Sequence, residues 1–205
     1  MISWQVAVDG PLLEFDVATR NAVRSVRTAL GSILLNHLGA GFSDLGGPVP
    51  AMPALLLSAA LAGWLELRAG LRRWWYPLPV AVLAGVLVPL LIVPAKTWFA
   101  RPGPFGVPLS PEQLGWYPSG HTATSAIAYG TAALLLGRTL DRTARQWLYG
   151  LTALGCLGVG AGLVWSDYHW LLDVLASWCL AGLVLQGLWL LTARLTGHRA
   201  RLTRR

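Results

Sequence analysis

From residue 52 onward the chain alternates long apolar runs with short polar or basic connections. Five runs, about 52–70, 76–95, 120–137, 147–165 and 170–193, each carry roughly the 17–25 residues with which a helix crosses a ~30 Å hydrocarbon layer. Ahead of them, residues 17–39 put Arg20, Arg24 and Arg27 on one helical face, with Val23, Val26, Leu30, Ile33 and Leu34 nearer the other. That spacing predicts an amphipathic helix lying in the membrane interface, or a sixth span if it crosses. Residues 1–16 read as mixed and loop-like, and the glycine-proline stretch GFSDLGGPVPAMP at 41–53 reads as a loop. The pattern therefore predicts an all-α polytopic membrane helix bundle of five, with 17–39 possible as a sixth, transmembrane helices plus an N-terminal amphipathic helix. Its parts are an N-terminal segment 1–51, a bundle 52–195 and a basic tail 196–205, expected to be cytoplasmic. No basic-flanked short apolar segment with a small-residue cleavage site opens the chain, so no removable signal peptide is expected.

Composition supports the membrane class. The chain has 205 residues, 55% hydrophobic and 12% charged, against about 25% charged in soluble domains. The formal net charge of +7 raises the question of nucleic acid, but the arginines cluster between the apolar runs, as topology charges do, and no nucleic-acid partner is expected. Eleven of the sixteen bases fall on one side if the loop after the first span is cytoplasmic, and Arg20, Arg24, Arg27, Lys96 and Arg101 on the other. This excess predicts a cytoplasmic C-terminus and an outward-facing segment 96–119 and turn 166–169, in what reads as a bacterial cytoplasmic membrane. Cys156 and Cys179 read as packing residues, and His37 as an ordinary polar residue.

The outward segments hold the unusual polar residues. In AKTWFARPGP (95–104), Lys96 is the sole lysine and Arg101 follows it on the side that should be poor in bases, which favours anion binding over snorkelling alone. In YPSGH (117–121), Ser119 is placed to N-cap the third run, and Gly120 leaves the first-turn N–H groups open to a phosphate. His121 then stands in position to donate a proton. In WSDYHWLLDVLASW (165–178), His169 and Asp173 are four apart and share a helical face. The carboxylate accepts a hydrogen bond from one ring nitrogen and leaves the other as nucleophile or base. A zinc site from His121, His169 and Asp173 is the poorer reading, because Lys96 and Arg101 repel a cation. Trp98, Trp116, Trp165 and Trp170 read as interface anchors.

Lys96…Arg101-Pro102, PSGH at 118–121 and His169-x-x-x-Asp173, in this order along a small multi-span chain, resemble the type 2 phosphatidic acid phosphatases, a family of membrane lipid phosphate phosphatases. The resemblance covers about residues 42–193. It implies that His169 attacks phosphorus to give a phosphohistidine, that Asp173 orients its ring, and that His121 protonates the leaving oxygen. Lys96, Arg101, Ser119 and Gly120 would hold the phosphoryl oxygens, with no metal or cofactor required. Two arginines of the family pattern fall on Gly103 and Leu163, and its serine falls on Gly162. The anion clamp is thereby thinned, and an arginine introduced at 163 is expected to raise turnover on simple lipid phosphates if the pocket has room for it.

The leading expectation is a lipid phosphatase that hydrolyses a lipid phosphate or isoprenoid diphosphate at the outer membrane face. The alternatives are a phosphoryl or lipid-phosphate transferase and a non-catalytic lipid-phosphate binder. Its partners are the lipid substrate and the surrounding membrane lipids.

Overall fold

The computed structural model describes residues 1–110 and 112–197, so most of the expected basic tail lies outside the described residues. Among the described residues eight helices follow in order: α1 (Ile2–Ala7), α2 (Leu12–Leu30), α3 (Ile33–Leu45), α4 (Pro48–Arg68), α5 (Pro77–Phe99), α6 (Gly120–Gly137), α7 (Arg142–Trp165) and α8 (Leu171–Leu195). Four of them, α4, α5, α7 and α8, are long and apolar enough to cross a membrane. Their outward faces carry large apolar side chains such as Leu57, Leu90, Leu154 and Leu183, surface that lipid rather than water accommodates. The protein is an integral-membrane helix bundle.

The fifth expected span, α6, forms over 120–137 and sits at the centre, packed against α4, α5, α7 and α8. Thr122, Thr124, Ser125 and Thr131 lower its hydropathy, and all four are buried. Sheathed by its neighbours, α6 meets little lipid. Its alanines, among them Ala123, Ala126, Ala128 and Ala132, are small enough for the surrounding helices to approach closely.

The N-terminal region departs from expectation in three ways. Residues 1–16 hold α1 and the start of α2. The 17–39 stretch is two helices rather than one: Gly31 closes α2 in the left-handed region (φ 53°), and Ser32 caps α3 by accepting from Leu35 N–H. The 41–53 stretch is helical apart from Gly46–Gly47, because Pro48 opens α4 at the first-turn position where a missing N–H costs nothing. A Cβ on Gly46 would lie 2.8 Å from His121 Cβ, so the α3–α4 junction presses against the start of α6.

Neither α2 nor α3 crosses the bundle. Asp16 and Arg27, near opposite ends of α2, both bond the segment 165–172. α3 lies along the C-terminal part of α7, where Gly39 meets Trp165 and Phe42 meets Gly158. On α2, Asp16 is buried and Arg20 and Arg27 are half-buried, while Phe15, Val17, Val26 and Leu30 are exposed. The polar face grips protein and the apolar face points away from it.

Candidate active site

The N-termini of α4, α6 and α8 and the C-termini of α5 and α7 meet at one end of the bundle. Local sequence shapes each approach. α5 ends at Ala100 in the left-handed region (φ 42°), which turns the chain so that Arg101 points inward. A buried Ser119 N-caps α6, accepting from Thr122 N–H at 3.3 Å and from Thr122 Oγ1–H at 3.0 Å. Its backbone is stitched to α8: Ser119 N–H donates to the Asp173 carbonyl (3.2 Å), and Ser177 Oγ–H to the Ser119 carbonyl (2.9 Å). PSGH and the His169 turn thus form one rigid piece.

Asp173 is fully buried and organises the centre. Its Oδ2 lies 3.1 Å from His169 Nδ1 and accepts Trp170 N–H at 3.3 Å, while its Oδ1 accepts Arg101 Nη1–H at 2.7 Å. A carboxylate can only accept, so Nδ1 carries the proton and Nε2 keeps a lone pair. His169 is itself buried, and burial of the charged ring is the main cause holding its pKa below the ordinary histidine value, against the opposing pull of Asp173. The Trp116 ring meets the imidazole edge-to-face at 5.3 Å between centroids.

Lys96 donates to the Gly115 carbonyl at 2.8 Å and the Trp116 carbonyl at 3.4 Å. A Cβ on Gly120 would lie 3.7 Å from Lys96 Cε, so the lysine stem passes beside the α6 N-terminus. His121 is exposed, within electrostatic range of His169, Lys96 and Asp44. All seven residues singled out from the sequence, Lys96, Arg101, Ser119, Gly120, His121, His169 and Asp173, are at this end of the bundle. Among the described residues no group of three or more His, Cys, Asp or Glu side chains gathers to hold a metal ion.

Arg101 is placed differently from a free phosphate ligand. Its Nη1 is held by Asp173 and its Nη2 by Asp16 Oδ2, each at 2.7 Å, and the group is buried. Asp16 went unremarked in the sequence because it sits in a mixed N-terminal stretch with no motif around it. It is buried and accepts Leu172 N–H at 2.8 Å; burial raises its pKa, and its hydrogen bonds from Arg101 and Leu172 oppose that. Asp167 lies in the 165–178 stretch but was missed because its partners sit far away in sequence, on α2. It takes Arg20 Nε at 2.8 Å and Arg27 Nη2 at 3.2 Å, with Arg24 at 3.6 Å.

The structure also accounts for the departures at 103, 162 and 163. A Cβ on Gly103 would stand 2.6 Å from the Trp116 ring, and one on Gly162 would stand 2.5 Å from the Gly39 carbonyl of α3. Leu163 is buried with Val159 and Val174. None of these positions has room for a guanidinium, so the room on which the expected gain from an arginine at 163 depends is absent. Of the four tryptophans read as anchors, Trp98 is exposed, while Trp116 meets His169 edge-to-face, Trp165 bonds Asn36, and Trp170 bonds the Pro102 carbonyl. Cys156 is buried as expected; Cys179 is exposed on α8.

The sequence profile of the PAP2 superfamily matches residues 73–196. The chain belongs to the PAP2 superfamily. This match runs from just before α5 to the end of α8 and so contains every candidate residue except those contributed by α2. Among solved structures, the chain resembles the crystal structure described as the first transmembrane PAP2 type phosphatidylglycerolphosphate phosphatase from Bacillus subtilis, with a TM-score of 0.77 and 22% identity over 94% of this chain and 92% of that one. At this identity the likeness shows a shared fold. No curated protein sequence matches this chain significantly.

Proposed function

We propose that this PAP2 superfamily member is a membrane lipid phosphatase acting through a phosphohistidine at His169. The observation that carries the reading is the buried pair of His169 Nδ1 and Asp173 Oδ2 at 3.1 Å, which leaves Nε2 unprotonated at the end of the bundle that also carries Lys96 and the α6 N-terminus. The Nε2 lone pair attacks phosphorus, the bond from phosphorus to the lipid oxygen breaks, and protonated His121 gives its proton to that oxygen. Water then attacks the phosphohistidine, the N–P bond breaks, His121 takes a proton from the water, and inorganic phosphate leaves. Lys96 and the α6 N-terminal N–H groups stabilise the charge that gathers on the equatorial oxygens.

Arg101 contributes here mainly through Asp173, because both of its terminal nitrogens are engaged. Lys96, the Ser119 hydroxyl and the Gly120 backbone N–H are then the principal phosphoryl ligands. The substrate is a lipid phosphate or an isoprenoid diphosphate, and the arginine bias toward the opposite end of the bundle supports an outward-facing site. Transfer to an alcohol instead of water, or binding without turnover, are the alternative readings. Release of inorganic phosphate from purified protein, over a panel of lipid phosphates and diphosphates, tests the proposal. Phosphate release lost in His169→Ala is the expected result; a trapped phosphohistidine without phosphate release would favour transfer.

A further inference from the structure

α2 lies outside the segment that matches the superfamily, yet it touches the turn that carries His169 at several points. Asp16 Oδ1 accepts the N–H of Leu172, one of the first-turn donors of α8 that no intrahelical carbonyl satisfies. Asp16 Oδ2 accepts from Arg101 Nη2. Farther along α2, Arg27 Nη1 donates to the Trp165 carbonyl at 2.6 Å, and Arg20 and Arg27 pair with Asp167. Between these two anchor points the Trp170 ring lies against Arg20 and Arg101, with guanidinium carbons 5.7 and 5.2 Å from its centroid.

A guanidinium facing a single carboxylate favours a bidentate fork, with two parallel N–H···O bonds. Arg101 does not adopt one. It gives one nitrogen to each of two buried carboxylates, although a fork on Asp173 would use both of that residue's oxygens. We propose that Asp16 is a positioning residue for His169: by holding the Nη2 end of Arg101 and the first turn of α8, it limits Arg101 to Oδ1 of Asp173 and reserves Oδ2 for the histidine. α2 is then a strap that sets the nucleophile from outside the segment that matches the superfamily, attached by its polar face because that face does the positioning. The role rests on the phosphohistidine reading above, in which the Nε2 lone pair is the nucleophile.

A double-mutant cycle separates positioning from ordinary stabilisation. Asp16→Asn should lower kcat for phosphate release about 10- to 100-fold with KM within about twofold, while the same change in an Asp173→Asn background should cost less than about twofold more. Additive losses in the two backgrounds would overturn the proposal, as would an unchanged kcat in the single variant. Asp16→Glu keeps the charge on a longer arm and covers the case in which the asparagine variant does not fold; the same cycle with it should be non-additive, and additivity would again overturn the role. If the wild type releases phosphate from no lipid in the panel, the reaction itself fails and the tautomer still decides. Nitrogen-15 spectra of histidine-labelled protein, assigned with His169→Gln, should show His169 as Nδ1–H in the wild type and as a mixture in the Asp16 variant. The same single tautomer in both would overturn the positioning role.

Discussion

Arg101 and Asp173 meet through one nitrogen and one oxygen, Nη1 to Oδ1 at 2.7 Å, and this single contact leaves the other carboxylate oxygen to His169. The carboxylate therefore has two separable tasks, neutralising a buried guanidinium and fixing an imidazole. Asp173→Asn keeps the shape but loses the charge, and an amide placed to donate toward Nδ1 selects the wrong tautomer. Phosphate release should fall about 10²- to 10⁴-fold, with substrate KM changed far less. Steady-state kinetics at fixed detergent and lipid composition check this.

The pH profile follows from the burial of His169. A pKa held below the ordinary value means that the ring stays neutral, with Nε2 available, at a lower pH than a free histidine would. The acid limb of kcat/KM should therefore lie below about pH 6.5. Asp173 is among the groups that raise this pKa, so the residual activity of Asp173→Asn should show an acid limb displaced to still lower pH. A limb moved upward in that variant would contradict the assignment.

Arg101→Ala should damage stability as well as rate. It leaves Asp16 and Asp173, both buried, without the cation they share, and breaking a buried ion pair costs about 3–5 kcal/mol. Thermal unfolding in detergent should show a clear drop in Tm, together with loss of phosphate release. A variant with wild-type Tm would contradict the bridging role.

Leu163→Arg should destabilise rather than activate. Leu163 is 1% exposed and packs with Val159 and Val174, so an arginine there brings a charge into an apolar cluster without a partner. Gly103→Ala should also lose activity, because its methyl group would displace the Trp116 ring that meets His169 edge-to-face; overpacking of this kind costs about 1–3 kcal/mol. Tm and phosphate release measured on both variants check these outcomes, and faster turnover in Leu163→Arg would contradict the packing account.

Hydrophobic runs made the bundle legible because lipid demands continuous apolar helices, and 120–137 was readable as a helix despite its threonines. PSGH and His169-x-x-x-Asp173 were readable because caps and same-face pairs are local. The N-terminal region was not. Prolines at 48, 50 and 53 look like a loop in sequence, yet they fall in α4, the first of them at the helix start. Asp16 and Asp167 had no local signal, since their partners Arg101, Arg20 and Arg27 are 85 to 147 residues away. Arg101 was readable as a cation near the site, but its engagement by two carboxylates depends on α2, whose docking no short-range spacing encodes.

The central claim, covalent catalysis at His169, is tested most directly by trapping. Protein mixed with a phosphorus-32-labelled lipid phosphate and quenched in alkali within the first turnover should carry the label on the peptide containing residue 169. That label should be acid-labile and should be absent from His169→Ala. Steady phosphate release by the wild type with no label on that peptide, or undiminished release by His169→Ala, would contradict the account.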